Sequence, residues 1–149
     1  MLVELLYNSA SVKYQLTNVD LDHILASARR RNALEKITGM LLYYRGEFVQ
    51  ILEGEKKSVE NMYEKFIGPD PRHTALNKVH QNTISYRSFS EWSMGFVGAA
   101  EIESHMPSSV MGVLLMLVWS AIAADSRSMS QCLINRTELI RPNRWLGYR

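Results

Sequence analysis

The sequence predicts an α+β domain of the ferredoxin-like class, in which two helices cover one face of a sheet built as a split βαβ arrangement. Three observations predict it: a strand followed by an amphipathic helix, a β-hairpin behind that helix, and a second amphipathic helix followed by further strands. We expect this domain to occupy residues 1–98 of the 149, and a C-terminal helical extension to occupy residues 99–149.

The first half of the domain begins with a short apolar strand over residues 3–7. Residues 17–20 resemble a helix N-cap. Apolar residues then recur at i, i+3, i+4 and i+7, which defines one face of a helix. These residues are Leu21, Ile24, Leu25 and Ala28. Three arginines at 29–31 suit the negative end of the helix dipole. Asn32 is expected to end the helix, because asparagine tolerates left-handed backbone geometry.

A β-hairpin is the clearest local signal in the sequence. Residues 37–44 are apolar and strand-like, residues 45–47 (Arg-Gly-Glu) form a tight turn, and residues 48–52 return as a second strand. Two apolar runs joined by a short turn that contains glycine are typical of a hairpin.

The second half repeats the helix and strand. Its apolar helical positions, at spacing 0, 3, 4, 7 and 8, are Val59, Met62, Tyr63, Phe66 and Ile67. The sequence Gly-Pro-Asp-Pro at 68–71 ends this helix, because proline cannot continue the hydrogen-bond ladder. A more polar strand is expected within 76–85. A last strand over 92–97 should place Trp92, Met94 and Phe96 on one face.

The C-terminal third contains an apolar run at 110–124 that is interrupted only by Gly112 and Ser120. A membrane-spanning helix needs about 20 apolar residues, so this run is too short, and no membrane partner is expected. A helix that is apolar on every side must be covered. We expect it to cover the second face of the sheet or to contact a second subunit. The start of the chain, with Glu4, reads as a strand and not as a secretory signal, which favours a cytoplasmic protein.

Composition excludes several classes of function. The net charge is only +2 and 46% of the residues are hydrophobic, which excludes a disordered chain and gives no sign of a nucleic-acid partner. The single cysteine excludes a disulfide framework and a cysteine-rich zinc site. The four histidines show no spacing typical of metal ligands, so no metal is expected.

Two polar residues do not fit a plain apolar core. Alternation places Gln50 on one strand face with Phe48 and Leu52, and Tyr7 on the face of Val3 and Leu5. A buried glutamine has two donor hydrogens and two acceptor sites, and each unpaired group costs about 1–3 kcal/mol. Either these side chains meet a ligand or each other, or Gln50 faces solvent while Val49 and Ile51 form the core. Alternation alone leaves both possibilities open.

Several segments together resemble a known family. They are Leu6-Tyr7, NALEKITGMLLY at 32–43, FVQILEG at 48–54, DPRH at 70–73 and RSFSEWSMGF at 87–96. In this order and spacing, over about the first 98 residues, they resemble the BLUF family of blue-light sensors that use flavin. The family is ferredoxin-like, and this resemblance implies non-covalent FAD whose ring lies between the two helices over the sheet.

The resemblance also assigns roles to individual residues. Tyr7 matches the redox-active tyrosine and Gln50 the switching glutamine. Asn32 matches the asparagine that bonds the pyrimidine edge of the flavin, and Ile24 and Ile67 match the aliphatic residues on either side of the ring. Arg72 and His73 match the loop near the ring edge and the ribityl chain, and Trp92 and Met94 match the pair that relays the signal.

The implied function is a photoreceptor and not an enzyme. Light would rearrange or tautomerise Gln50 through Tyr7, and the protein would signal by binding an unidentified downstream protein or by changing its homo-oligomeric assembly. Three alternatives are weaker. An acylphosphatase-like enzyme would need a glycine-rich phosphate loop after the first strand, and an RNA-binding module would need an aromatic-rich central strand. A flavin-binding module without a photocycle is disfavoured by the presence of both Tyr7 and Gln50.

Overall fold

The computed structural model of the protein describes residues 1–13 and 15–98. The predicted extension over residues 99–149, with its apolar run at 110–124, lies outside the described residues. Within the described part, no helix is both long enough and apolar enough to cross a membrane.

The domain consists of a five-stranded sheet and two helical regions. In chain order the elements are β1 (Leu2–Ser11), α1 (Asn18–Leu34), β2 (Thr38–Tyr44), β3 (Glu47–Glu55), α2 (Lys56–Asn61), a π-helical segment (Met62–Ile67), β4 (His73–Thr83) and β5 (Gly95–Val97). The strand order is β4-β1-β3-β2-β5. All neighbouring strands are antiparallel except β2 and β5, which are parallel. This is the predicted ferredoxin-like α+β fold.

The two central strands bring the anomalous polar residues together. β1 and β3 are neighbours, and their register places Tyr7 directly opposite Gln50. Directly opposed residues lie on the same face of a sheet. This face carries the main core, which α1, α2 and the π-helical segment cover through Leu25, Val59 and Met62. The strand order therefore sets Tyr7 and Gln50 in the middle of the helix-covered face.

Helix α1 begins as predicted and ends later than predicted. The Thr17 side chain accepts from the backbone N–H of Asp20, and the Asp20 carboxylate accepts from the backbone of Thr17, which forms a capping box. A hydrogen bond from Lys13 is the largest cause that lowers the pKa of Asp20. The prediction that Asn32 ends the helix is wrong, because the helix runs to Leu34 and the left-handed residue is Lys36, with φ 54°.

The hairpin between β2 and β3 is confirmed. Its turn residues Arg45 and Gly46 have φ of 47° and 84°. Two consecutive residues with positive φ match the right-handed twist of the flanking strands, which is why such turns favour glycine.

The second helix differs from the single regular helix that the sequence predicts. After α2 the backbone winds as a π-helix, and the N–H of Gly68 bonds the carbonyl of Tyr63 five residues earlier at 2.8 Å. The wider turns rotate the later side chains away from their α-helical positions. Phe66, expected on the buried face, is 40% exposed and lies under the Arg31 guanidinium, 4.7 Å from the ring centroid.

The last strand is shorter than predicted, because a turn precedes it. The N–H of Trp92 bonds the carbonyl of Phe89 at 3.0 Å, so Trp92 does not take part in strand alternation. Met94 and Phe96 pack against the helix-covered core, whereas the Trp92 ring stacks on Phe89 with centroids 6.1 Å apart. The prediction that Trp92, Met94 and Phe96 share one face is therefore wrong for Trp92.

The opposite face of the sheet is also apolar. Leu6, Leu42, Val49 and Ile51 alternate with the helix-side residues along the three central strands, and each is 0% exposed. The sheet therefore has two buried faces, of which only one carries Tyr7 and Gln50.

Candidate functional site

A cleft lies between α1, the π-helical segment and the sheet. Its empty space, about 650 Å³, includes open solvent. The seven residues expected to bind the cofactor all line it. They are Tyr7, Ile24, Asn32, Gln50, Ile67, Arg72 and His73.

The floor of the cleft is a direct hydrogen bond between Tyr7 and Gln50. The Tyr7 hydroxyl donates to Gln50 Oε1, and both side chains are buried. Burial raises the pKa of Tyr7, and the nearby Tyr63 and Asp70 raise it further. The phenol is therefore held in its protonated, donating form at neutral pH.

This bond also orients the Gln50 carboxamide. With Oε1 towards Tyr7, Nε2 points the other way and lies 3.5 Å from Met94 Sδ. A thioether sulfur is a weak acceptor. The amide group of Gln50 is thus well bonded at its oxygen and weakly bonded at its nitrogen.

The interpretation in which Gln50 faces solvent is wrong. Gln50 is 7% exposed and lies on the helix-covered face, while Val49 and Ile51 are fully buried on the other. Alternation could not decide between the two faces because both are buried.

The walls of the cleft are apolar. Ile24 and Ala28 come from α1, and Met62 and Ile67 come from the π-helical segment. Ile24, Ala28 and Ile67 are partly buried: they pack against the apolar core and also border the cleft. The arrangement suits a flat apolar group held between two aliphatic surfaces.

Asn32 joins the end of α1 to the segment that precedes β5. Its Nδ2 donates to the carbonyl of Ser93 at 2.7 Å. This tertiary bond holds a 2%-exposed asparagine inside the helix, which local sequence preference did not predict. Its carboxamide oxygen receives no hydrogen bond from the described residues, so it can accept one from a ligand in the cleft.

The mouth of the cleft carries a paired charge. Both carboxylate oxygens of Asp70 accept from the Arg72 side chain at 2.5–3.0 Å. Partial burial alone would raise the pKa of Asp70, but the hydrogen bonds from Arg72 outweigh it and lower that pKa. The same bonds raise the pKa of Arg72. Arg72 therefore lines the cleft as one half of an ion pair.

His73 is held by both of its ring nitrogens. Nε2 lies 2.7 Å from the carbonyl of Ile67, and Nδ1 lies 2.8 Å from Ser9 Oγ. Because a carbonyl only accepts, Nε2 is the donor, and in the neutral ring Nδ1 accepts from the Ser9 hydroxyl. His73 thus ties the end of the π-helical segment to β1 beside Tyr7.

The two expected relay residues lie in different places. Met94 contacts Gln50 and is 1% exposed within the core. Trp92 lies beside Phe89, away from the cleft lining. The structure therefore connects Met94, and not Trp92, directly to the Tyr7–Gln50 pair.

Sequence reasoning missed several residues that line the cleft, among them Ser9, Arg31, Met62 and Asp70. Ser9 could have been found, since it follows Tyr7 by two residues on the same strand face. In the sequence, Arg31 is explained only as one of three arginines that suit the end of the helix dipole. The contribution of Asp70 depends on its pairing with Arg72, which the sequence does not show. The described residues contain no cluster of side chains suited to a metal ion.

Comparison with known proteins identifies relatives of this chain. The family profile described as "BLUF: Sensors of blue-light using FAD" matches residues 2–95. Photoactivated adenylate cyclase subunit beta of Euglena gracilis is 45% identical over 80 residues, which are 53% of this chain and 9% of that protein. The beta-like protein FB of the same organism is 39% identical over 93 residues, 62% of this chain and 11% of that protein. The chain thus spans about a tenth of the length of these curated relatives.

Solved structures show the same fold. The dark-state structure of the BLUF protein BlrB matches with a TM-score of 0.69 at 28% identity, over 90% of this chain and 96% of that chain. A bacterial light-regulated adenylyl cyclase matches with a TM-score of 0.65 at 30% identity, over 83% of this chain and 35% of that chain.

Proposed function

The chain belongs to the BLUF family, the sensors of blue light that use FAD, and we propose that Tyr7 and Gln50 form its light-driven hydrogen-bond switch. A photoreceptor role follows from the family. The residue roles, the switch and the mode of signalling are our proposal, and the hydrogen bond from Tyr7 to Gln50 is the observation that carries it.

The cleft has the features that a flavin requires. Ile24 and Ile67 would contact the two faces of the ring, and the carboxamide groups of Asn32 and Gln50 would meet its polar edge. Arg72 and His73 would border it at the mouth. When bound, the flavin supplies absorption of blue light and an excited state that can accept an electron.

The hydrogen bond of Tyr7 defines where its phenolic proton would go. Its hydrogen already points to Gln50 Oε1, so the carboxamide is the first acceptor for a proton that leaves the oxidised tyrosine. When Tyr7 recovers its electron and proton, Gln50 is left rotated or tautomerised. The weak contact between Nε2 and Met94 makes this rearrangement easy, because little hydrogen-bond energy is lost at that end.

The size of the change limits how it can act. One altered hydrogen bond contributes about 1–2 kcal/mol, or a population shift of roughly 5- to 30-fold. Inverting a 1:99 equilibrium to 99:1 needs about 5.5 kcal/mol. We therefore propose that the output segment is already close to balance between two arrangements, and that Met94, which contacts Gln50, couples it to the switch.

The output is proposed to be a change in protein contacts and not catalysis by this domain. Residues 1–98 would form the sensor, and residues 99–149 would act in output or in homo-oligomer assembly. A downstream protein partner fits relatives that are named as subunits of light-activated cyclases, although these relatives are far longer than the stretch matched here.

The first prediction tests the switch itself. We expect purified protein to be yellow and its flavin bands to shift reversibly to longer wavelength under blue light. Tyr7→Phe and Gln50→Leu should bind flavin and lose this shift, because each removes one partner of the same hydrogen bond. Absorption spectra in the dark and under light provide the measurement.

Tyr43→Phe is the matched control, since Tyr43 is a buried tyrosine of the same sheet face whose hydroxyl accepts from the Leu16 backbone outside the cleft lining. It should keep the shift. An unaltered shift in Tyr7→Phe or Gln50→Leu would contradict the assigned roles, and identical dark and lit spectra of the wild type would contradict the photoreceptor function.

A further inference from the structure

Glu53 is a buried carboxylate that the proposed switch does not use. It lies on β3 three residues beyond Gln50, faces the opposite side of the sheet and is 0% exposed. Its two oxygens accept from the backbone N–H groups of Ser88 and Phe89, at 3.0 and 2.9 Å. Charge-assisted bonds of this kind are the strong ones in proteins. Glu53 therefore fixes the start of the segment 88–94, which leads to Trp92 and Met94.

Arg87 also fixes the start of the segment 88–94, through bonds from its own guanidinium. Its Nη1 donates to the backbone carbonyl of Glu53 at 2.6 Å and to Thr38 Oγ1 at 3.0 Å. Its Nη2 donates to the carbonyl of Lys36 at 2.6 Å. The residue before the segment 88–94 is thus bonded to β3, to β2 and to the loop that precedes β2.

The far end of the segment 88–94 is bonded to the switch and to α1. Gln50 Nε2 contacts Met94 Sδ, and Asn32 donates to the carbonyl of Ser93. Arg29 Nε donates to the carbonyl of Met94 at 3.0 Å. β3 therefore contacts both ends of the segment, one through Glu53 and one through Gln50. The far end is also bonded to α1 and, through the N–H of Gly39 and the carbonyl of Trp92 at 3.1 Å, to β2.

We propose that Glu53 is a positioning residue of the light switch: it holds the start of the segment 88–94 stationary, so that a change at Gln50 moves Met94 and Trp92 relative to the sheet. The proposal rests on the proposed function of Tyr7 and Gln50. With the start fixed, rearrangement at the Met94 end alters the segment itself. Without Glu53, the backbone at Ser88 and Phe89 could move, and the rearrangement at Met94 would shift the whole segment without altering it.

Substitution of Glu53 by glutamine separates this role from simple space filling. A carboxylate accepts from two N–H groups at once, whereas a carboxamide has one oxygen and directs its own N–H₂ group at the second donor. Glu53→Gln therefore keeps the shape and loses at least one of the two backbone bonds. Glu55→Gln is the matched control, because Glu55 is on the same strand and face and its side chain is 66% exposed.

Amide hydrogen exchange of residues 87–95, in the dark and under light, tests the proposal together with the flavin spectra. In Glu53→Gln we expect exchange at Ser88 and Phe89 to rise about tenfold in the dark, as loss of a strong hydrogen bond implies. The red shift should remain, and the light-dependent change in exchange at residues 92–94 should be lost. Glu55→Gln should behave as the wild type in all three measurements.

Three results would overturn the proposal. These are unchanged dark exchange at Ser88 and Phe89, a light-dependent change at residues 92–94 of wild-type size, and loss of the red shift, which would place Glu53 within the switch itself. If Glu53→Gln does not fold, Arg87→Lys serves instead, since lysine cannot reach all three acceptors. It should also keep the red shift and lose the change at residues 92–94. A wild type without a red shift would contradict the proposed function and the relay with it, whereas the dark exchange would still show whether Glu53 holds the segment.

Discussion

The buried hydrogen bond between Tyr7 and Gln50 concentrates the chemistry of this protein in two side chains. Each would be costly alone, because an unpaired hydroxyl or carboxamide in the core destabilises the fold by about 1–3 kcal/mol per group. Pairing removes most of this cost and leaves one amide nitrogen facing a weak acceptor, Met94 Sδ. At this scale, stability and function use the same bond, and the poorly bonded end of Gln50 is the part that can change.

The raised pKa of Tyr7 gives a prediction at alkaline pH. An exposed phenol ionises at about pH 10, and burial places the folded-state pKa of Tyr7 above that. Because the folded value is higher than the unfolded one, Tyr7 favours folding below pH 10, and its contribution is lost only as the pH rises towards the folded value. We expect the size of the red shift to stay constant from pH 7 to about pH 10.5.

Phenolate absorbance measures this directly. Wild type and Tyr7→Phe should release the same number of phenolic protons near pH 10 while both are folded, since Tyr7 contributes none. One additional phenolate in the wild type would show that Tyr7 is less strongly buried than the structure indicates.

At the scale of elements, local sequence signals predicted some features correctly, and tertiary contacts changed others. The capping box of α1 and the turn at Arg45 and Gly46 depend on a few neighbouring residues, so the sequence was sufficient to predict them. The end of α1 depends on Asn32 reaching Ser93, which lies 61 residues away. The π-helical winding after Met62 and the turn before β5 likewise depend on packing that the spacing of apolar residues in the sequence does not reveal.

The same distinction applies to the site. Alternation identified Tyr7 and Gln50 as anomalous but could not assign Gln50 to a face, since Val49 and Ile51 are as apolar as Phe48 and Leu52. The positions of Trp92 and Met94 on different sides could not be predicted, because a regular strand would have placed them together.

Gly95, the first residue of β5, gives a prediction for this element. A Cβ atom at Gly95 would lie 2.8 Å from both Trp92 Cε3 and Met40 Cε. The Met40 methyl can move, but the Trp92 ring is stacked on Phe89. Gly95→Ala should therefore displace Trp92 and lower the free energy of unfolding by about 1–3 kcal/mol, as overpacking usually does.

Thermal unfolding and tryptophan emission would measure both effects. Ser90→Ala, an exposed residue of the same turn region, is the control and should leave both unchanged. A Gly95→Ala protein with wild-type stability and emission would show that Trp92 does not pack against β5 in solution.

At the scale of the whole molecule, the sheet must be covered on two sides. The helices and the cleft occupy one face, and the fully buried Leu6, Leu42, Val49 and Ile51 form the other. The apolar run at 110–124 was predicted to cover that face or to contact a second subunit, and this stays a prediction. Burial of one such side chain contributes about 1.5–3 kcal/mol, and four of them together approach the 5–15 kcal/mol of stability that a whole domain has.

Because this burial energy is so large, removal of residues 99–149 tests decisively whether they cover the second face of the sheet. If these residues provide it, a chain limited to residues 1–98 exposes an apolar surface comparable in energy to its entire stability, so it should unfold at a lower temperature or associate through that face. Light scattering and thermal unfolding of the truncated and full chains measure this. The full chain is also compared in the dark and under blue light, because the proposed output is a change in assembly.

A truncated chain that is monomeric and as stable as the full one would show that residues 99–149 do not cover the sheet. An assembly state of the full chain that light leaves unchanged would leave binding of a downstream protein as the only proposed output. The two measurements thus separate a structural role of the C-terminal residues from a signalling role, because only the signalling role depends on light.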